Sequence, residues 1–357
     1  NKKSNILNAS GNVKINDTIN KYVIFSKKII YDKNNGLIFA KEKSKAISSI
    51  DNIIITAKNF EYNINKNSIT ANENVVLENN KADYKIFSEL ITYLRNDEKI
   101  YTKGKTSALI NSKYKFDSKN LIFSKKLMEL KSENKTTLTD DSNLYNLSNF
   151  KYFINTEILK GENIIVNSNY KLPKNDKFYF SNAIIDLKNE NFVAKDTKIK
   201  VHKNIFDNSE NDPRIKGVSS KKVGQITTIN KGVFTSCKET DSCPPWAIQA
   251  NEIKHDRTKK EISYKNAILK IYDIPVLYFP KFFHPDPTVE RKSGILKPVL
   301  NNSNVLGSSL TVPYFHVISN DSDLTFAPTI FDDDKKIIQS EYRKVGKKYK
   351  LTTDFGH

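Results

Sequence analysis

Arginine is scarce. Of 58 basic side chains only Arg95, Arg214, Arg257, Arg291 and Arg343 are arginines, leaving 53 lysines against 40 acidic residues and a formal charge of +18. Arginine supplies the planar fork that grips phosphates and base edges, whereas lysine scattered along a chain makes solvated strand faces. The charge therefore does not make this a nucleic-acid-binding protein. Cysteine is scarcer still, with Cys237 and Cys243 together in "SCKETDSCPP". That spacing is not CxxC and no histidine adjoins it, which excludes a thioredoxin-type centre and a zinc site. A disulfide in an oxidising compartment and two unrelated buried thiols remain. No apolar run approaches the roughly 18 residues of a membrane helix, so strands are the only route into a bilayer. A signal-peptide pattern is also lacking, because the chain opens inside the patterned stretch "NILNASGNVKIN". Either a leader has been removed or the chain is an internal fragment.

Catalytic groupings are missing too. There is no HExxH, GxSxG, Walker loop or GxGxxG, and His202, His255, His284, His316 and His357 are scattered. The run "DDDKK" from Asp332 reads as a solvated loop tip. Without a grouped acid, base or nucleophile, no enzyme is expected, and no metal or cofactor.

Apolar material is plentiful: 38% of residues are hydrophobic, with 20 Phe and 17 Tyr, enough for a core along most of the 357 residues. That length favours more than one domain. Its first half repeats. "YDKNNGLIFAKE" from Tyr31, "YNINKNSITANE" from Tyr62 and "YLRNDEKIYTKG" from Tyr93 stack without gaps, setting the tyrosines and Ile38, Ile69 and Ile100 each 31 residues apart. "LNASGNVKI" from Leu7 aligns two periods away with "ITANENVVL" from Ile69, placing Val13 on Val75. Fainter copies begin at Phe116, Tyr152, Asn182 and Tyr264.

Each unit reads as a strand ending in Tyr or Phe, a turn of Asn, Asp, Lys or Gly, and a second strand of alternating apolar residues. Period-two alternation means one buried face, and a fixed repeat means that neighbouring units stack to bury it. The expected fold is all-β, a sandwich or elongated jellyroll with Val13, Ile38, Ile69, Val75 and Ile100 facing inward. Two arrangements stay open: a closed stack in which this row is core, and an open seam in which it lines an apolar groove.

The segment "PVLYFPKFFHPDPTVERKSGILKP", Pro275 to Pro298, carries five prolines. Proline cannot donate to a sheet ladder, so such a run marks where one sheet stops and another begins. Downstream, "GSSLTVPYFHVI" and "SDLTFAPTIF" alternate over about ten residues, the length a tilted membrane strand needs.

From Gly232 to Arg343 the motifs become distinctive: the Thr-Ser-Cys turn, Trp246 before an Ile-x-Ala strand, "IKHD" at Ile253, the "YKNA" strand, "IPVLYFP", and "RKSGILKP" followed by "VPYF". This ordered series resembles the LptD (OstA/Imp) family of outer-membrane lipopolysaccharide-assembly proteins. "HPDPTVERKSG" is most similar to its alphaproteobacterial branch. The resemblance implies an N-terminal periplasmic OstA/LptA-like jellyroll over 1–285 and the start of a transmembrane β-barrel over 286–357. About four barrel strands would precede His357, too few to close, so a longer chain is expected.

The same resemblance implies lipopolysaccharide as cargo, accepted through a groove that includes Trp246 with the inward row, and release through the barrel into the outer leaflet. Implied partners are an LptA-like periplasmic bridge protein and an LptE-like lipoprotein plug, at the outer membrane. Pro298 and Pro313 fall on the family's first barrel strands, where prolines weaken closure and permit a lateral gate. Cys237 and Cys243 would pair locally, or one with a cysteine beyond His357. The competing function is a structural or adhesive β-repeat protein of the cell surface with a closed core.

Overall fold

The computed structural model describes residues 5–173, 175–202, 212–240, 244–286, 289, 291–296, 298–303, 307–332 and 335–357. Every regular element in them is a β-strand. Twenty strands from Ile6 to Pro285 form one antiparallel sheet in which sequence neighbours pair, except where two strands are broken in pieces: there Tyr114–Lys119 pairs with Thr136–Thr139 and Ile122–Ser124 with Glu129–Ser132. Seven more from Gly294 to Gly356 form a second.

The 31-residue repeat is one pair of strands. Strand Ser68–Asn79 shows why both of its halves face the core. Ile69 and Ala71 are buried before Asn72–Asn74, Val75 and Leu77 after them, and the three residues between are exposed. The pairing register shifts at that point, between Asn72 and Val75. The extra residues form a bulge, which bends a strand and strengthens its twist. Gly11, Glu42, Glu73 and Gly104 stand 31 residues apart at these bends, with φ of 105°, 66°, 62° and 84°. That left-handed conformation favours glycine. Glu42 and Glu73 adopt it nonetheless, where the bend carries them out into solvent.

Bending folds the sheet into two walls that enclose two apolar clusters, one running from Tyr22 to Ala194 and a second from Ile199 to Ala267, with Phe178 packed against both. The turns then lie along two edges. One edge carries the turns 17–22, 48–53, 79–84 and 110–114 and their successors; the other carries 32–37, 63–68, 94–99, 124–129 and 153–158 and theirs. Where these edges meet is the seam of the jellyroll.

The second sheet differs in kind. Its described residues include no buried hydrophobic side chain, while Leu300, Ile318, Phe326, Ile330 and Phe355 are exposed. Its buried polar residues include Asp323, held by the guanidinium groups of Arg291 and Arg343. Seven strands are present rather than about four, because proline breaks the first two. Pieces Gly294–Ile295 and Val299–Ser303 flank Pro298, and pieces Gly307–Thr311 and Tyr314–Ser319 flank Pro313. Both pieces around Pro313 pair with the same strand, Ser322–Phe331.

Candidate functional site

Over the first half the seam is zipped shut, in part by tyrosine hydroxyls. The Tyr62 hydroxyl donates to Asp17 across it at 2.6 Å, and the Tyr114 hydroxyl donates to Glu157 at 2.7 Å. Between them Asp51 receives Arg95 Nε at 2.7 Å and Lys125 Nζ at 2.7 Å, with all three side chains at most 14% exposed. Burial alone would raise the Asp51 pKa, but hydrogen bonds from Lys125 and Ser48 and the two cationic charges outweigh it and hold the carboxyl below its ordinary 3.8. Aromatic pairs lie beneath the polar bonds. Tyr22 meets Tyr62 edge-on at 5.2 Å, Tyr84 meets Phe123 at 4.8 Å and Tyr114 meets Tyr152 at 5.8 Å.

Past residue 168 the two edges part. One edge brings Ser168, Asn169, Asp176, His202 and Pro213 to the opening, and the other brings Thr227, His255, Arg257, Lys260 and Asp286. Between them lies a cavity of about 370 Å³ walled by Phe178, Ile199, Ile215, Ile229, Phe234 and Ile262. A neighbouring hollow of about 180 Å³ shares Ser168, Asn169, Phe178, Thr227 and Arg257 and extends the groove toward Tyr145, Phe180 and Phe192. Polar contacts here run along an edge instead of across it: His202 Nδ1 lies 3.2 Å from Asp176, and His255 Nε2 bonds Asp286. At the far end the rings of Phe234 and His284 meet across the seam at 6.1 Å. Burial holds the His284 imidazole below 6.5, hence neutral. Its Nδ1–H then donates to Pro285 O at 2.7 Å, and Nε2 accepts from the Tyr264 hydroxyl at 2.8 Å.

The residues singled out from sequence fall in different places. Ile38, Ile69, Val75 and Ile100 are buried in the closed half, and Val13 packs half-buried against the same core from the outermost strand. Trp246 belongs to the second cluster, its ring 5.8 Å from Phe234. Pro298 and Pro313 both interrupt their strands, and Pro313 O accepts from Leu296 N at 2.8 Å. Sequence reasoning missed Pro328, whose carbonyl accepts from Val312 N at 3.1 Å. Its signal is the even 15-residue spacing of Pro298, Pro313 and Pro328. It also missed the groove walls between Phe178 and Ile262, which lie where the repeat fades.

Cys237 is a free thiol, so no disulfide joins it to a described residue, and Cys243 lies outside the described residues. Its turn is held by other means. The buried Arg214 guanidinium donates to the carbonyls of Asp212, Cys237 and Lys238, and Thr235 Oγ1 donates to Trp246 O at 2.7 Å. Among the described residues no cluster of three metal-ligating side chains occurs. No helix among them is long and apolar enough to cross a membrane.

About a third of the chain is similar to known proteins. A protein of Polaromonas sp. is 31% identical over 126 residues, which is 34% of this chain and 15% of that protein. One from Hahella chejuensis is 37% identical over 105 residues, 29% of this chain and 13% of that protein. A third, from Legionella pneumophila (strain Paris), is 32% identical over 115 residues, 32% and 13% respectively. All three are named LPS-assembly protein LptD. This chain is a relative of LptD. The matched stretch spans only 13–15% of these LptD proteins. No family model matches the chain.

Proposed function

We propose that this chain carries lipopolysaccharide toward the outer leaflet of the outer membrane. On this reading the bent stack stands in the periplasm, receives lipid from an LptA-like bridge protein, and passes it to a barrel begun by the second sheet and plugged by an LptE-like lipoprotein. The observation that carries the reading is the seam, which opens into an apolar groove beside the strand that leads to the second sheet. Burying acyl chain there is worth about 25 cal/mol per Å² of apolar surface. Such transfer makes and breaks no covalent bond, in keeping with a sequence that carries no HExxH, GxSxG, Walker or GxGxxG motif. The second sheet's exposed apolar side chains suit strands that face lipid.

In this scheme the first half of the seam unzips for lipid to reach the inward row Val13, Ile38, Ile69, Val75 and Ile100, which apart from the half-buried Val13 is buried while the seam is shut. Trp246 backs the later stretch through its contact with Phe234. Pro298 and Pro313, each costing a ladder bond, weaken the pairing of the first two barrel strands and let lipid leave sideways. Replacing both with valine tightens that pairing, and lipid export falls.

One observation favours a second reading for part of the molecule. The zipped seam of residues 17–157 is what a purely structural or adhesive closed stack would show. Photo-crosslinking in cells decides between them, with photoreactive residues at Ile69 and Phe178 of the full-length protein. Lipopolysaccharide adducts that vanish when upstream transport is depleted support the lipid path. Normal folding with no adduct at either position, or at their inward neighbours, supports the structural reading.

A further inference from the structure

The chain holds five arginines, and four of them are engaged. Arg95 pairs with Asp51, Arg291 and Arg343 pair with Asp323, and Arg214 caps the carbonyls of the cysteine turn. The Arg257 side chain has no hydrogen-bond or ion-pair partner among the described residues, although its backbone N donates to Gln225 O at 3.0 Å. It stands exposed on the turn between strands Trp246–Asp256 and Glu261–Ile271, at the boundary shared by the two hollows of the groove. Lys260, on the same turn, has its ammonium equally unengaged among the described residues and also lines the larger cavity. The neighbouring charges are occupied: Lys222 by Glu190, Asp176 by His202 and Asp286 by His255.

Two unpaired cations, one of them the planar fork that binds phosphate bidentately, thus stand at the lip of an apolar cavity of about 370 Å³. We propose that this is a two-part site for a phosphorylated acyl lipid. A phosphate sits on Arg257 and Lys260, and a segment of acyl chain lies against Phe178, Ile199, Ile215 and Phe234. The proposal rests on the lipid-carrying reading above and adds to it a fixed orientation, head group at the turn and chain in the groove. The turn is also where the chain departs for the second sheet. Asp286 N donates to Lys260 O at 2.9 Å, and Lys292 Nζ donates to Lys259 O at 3.2 Å. A lipid held here is presented at the join between the two sheets.

The test uses the full-length protein with Phe178→benzoylphenylalanine, irradiated with lipopolysaccharide or with dephosphorylated lipopolysaccharide. Labelling is expected to fall roughly tenfold or more on dephosphorylation, and by a similar factor in Arg257→Gln/Lys260→Gln, the loss expected for charge-assisted hydrogen bonds. Competition by millimolar inorganic phosphate supports the same site. Both exchanged side chains are exposed, so an unchanged melting temperature accompanies the loss. Equal labelling with and without phosphate, or full labelling of the double variant, overturns the clamp. Labelling at Ile69 with none at Phe178 removes this site and leaves the lipid-carrying reading standing, whereas labelling at neither removes both.

Discussion

Residues 5–157 and 168–286 share one hydrogen-bonded ladder and one alternation, yet the first stretch closes its seam and the second leaves a cavity in its own. The backbone therefore does not decide closure. What differs is the chemistry placed at the turns. In the first stretch, acids at one edge face tyrosine, arginine or lysine at the other, as at Asp17 and Tyr62, or Asp51 with Arg95 and Lys125. In the second, the polar contacts run along each edge, the Arg257 and Lys260 side chains stay unengaged among the described residues, and a cavity is left between the edges. Ladder pairing fixes the walls, and a few side chains fix whether they meet.

The sharpest way to break this comparison is to put the same charge into each half. Ile69→Asp buries an unpaired carboxylate in a closed core, at a cost of about 4 kcal/mol or more, and should unfold the early repeats. Phe178 lies half-buried at the open groove, where a carboxylate can reach water, so Phe178→Asp should lower the melting temperature less than Ile69→Asp while lipid labelling is lost. Similar melting losses at both positions would mean that the halves do not differ. Next in size is Asp51→Ala, which strands Arg95 and Lys125 at low exposure. It should cost about 3 kcal/mol in denaturant unfolding and admit lipid probes into the first half.

Acid acts on the same contact. Because the folded Asp51 pKa is depressed below 3.8, its stabilising contribution is present above that value and is lost as pH falls through the lower folded value. An acid titration of stability should therefore show less loss in Asp51→Ala than in wild type. The smallest effect belongs to Tyr62→Phe, about 1 kcal/mol by thermal unfolding. Asp17 keeps bonds from the backbone N–H groups of Ile19 and Asn20 when the hydroxyl is gone.

The strands were legible in the sequence because alternation and the 31-residue period are local properties, and Ile38, Ile69 and Ile100 lie on the inward face as expected. The zipper was not. Asp51 meets Arg95 and Lys125 from 44 and 74 positions away, a juxtaposition set by accumulated bend and twist that no local spacing encodes. The groove was hidden for the opposite reason. Its walls, such as Ile215 and Ile262, have the same alternating pattern as core residues, and only the missing partners at the turns set them apart. The prolines were readable singly, but their alignment across neighbouring strands depends on register.

The bends have one more consequence, which concerns distance. Since each strand folds on itself, the stack grows only along its hydrogen-bonding direction, by about 4.8 Å per strand. With two strands broken in pieces, the twenty strands fill about eighteen positions and reach on the order of 80 Å. Each 31-residue unit then adds about 10 Å while presenting the same two walls. Repeat number becomes a ruler: excising one whole unit would shorten the span by a fixed step and preserve the cross-section, so that length and cross-section are set independently.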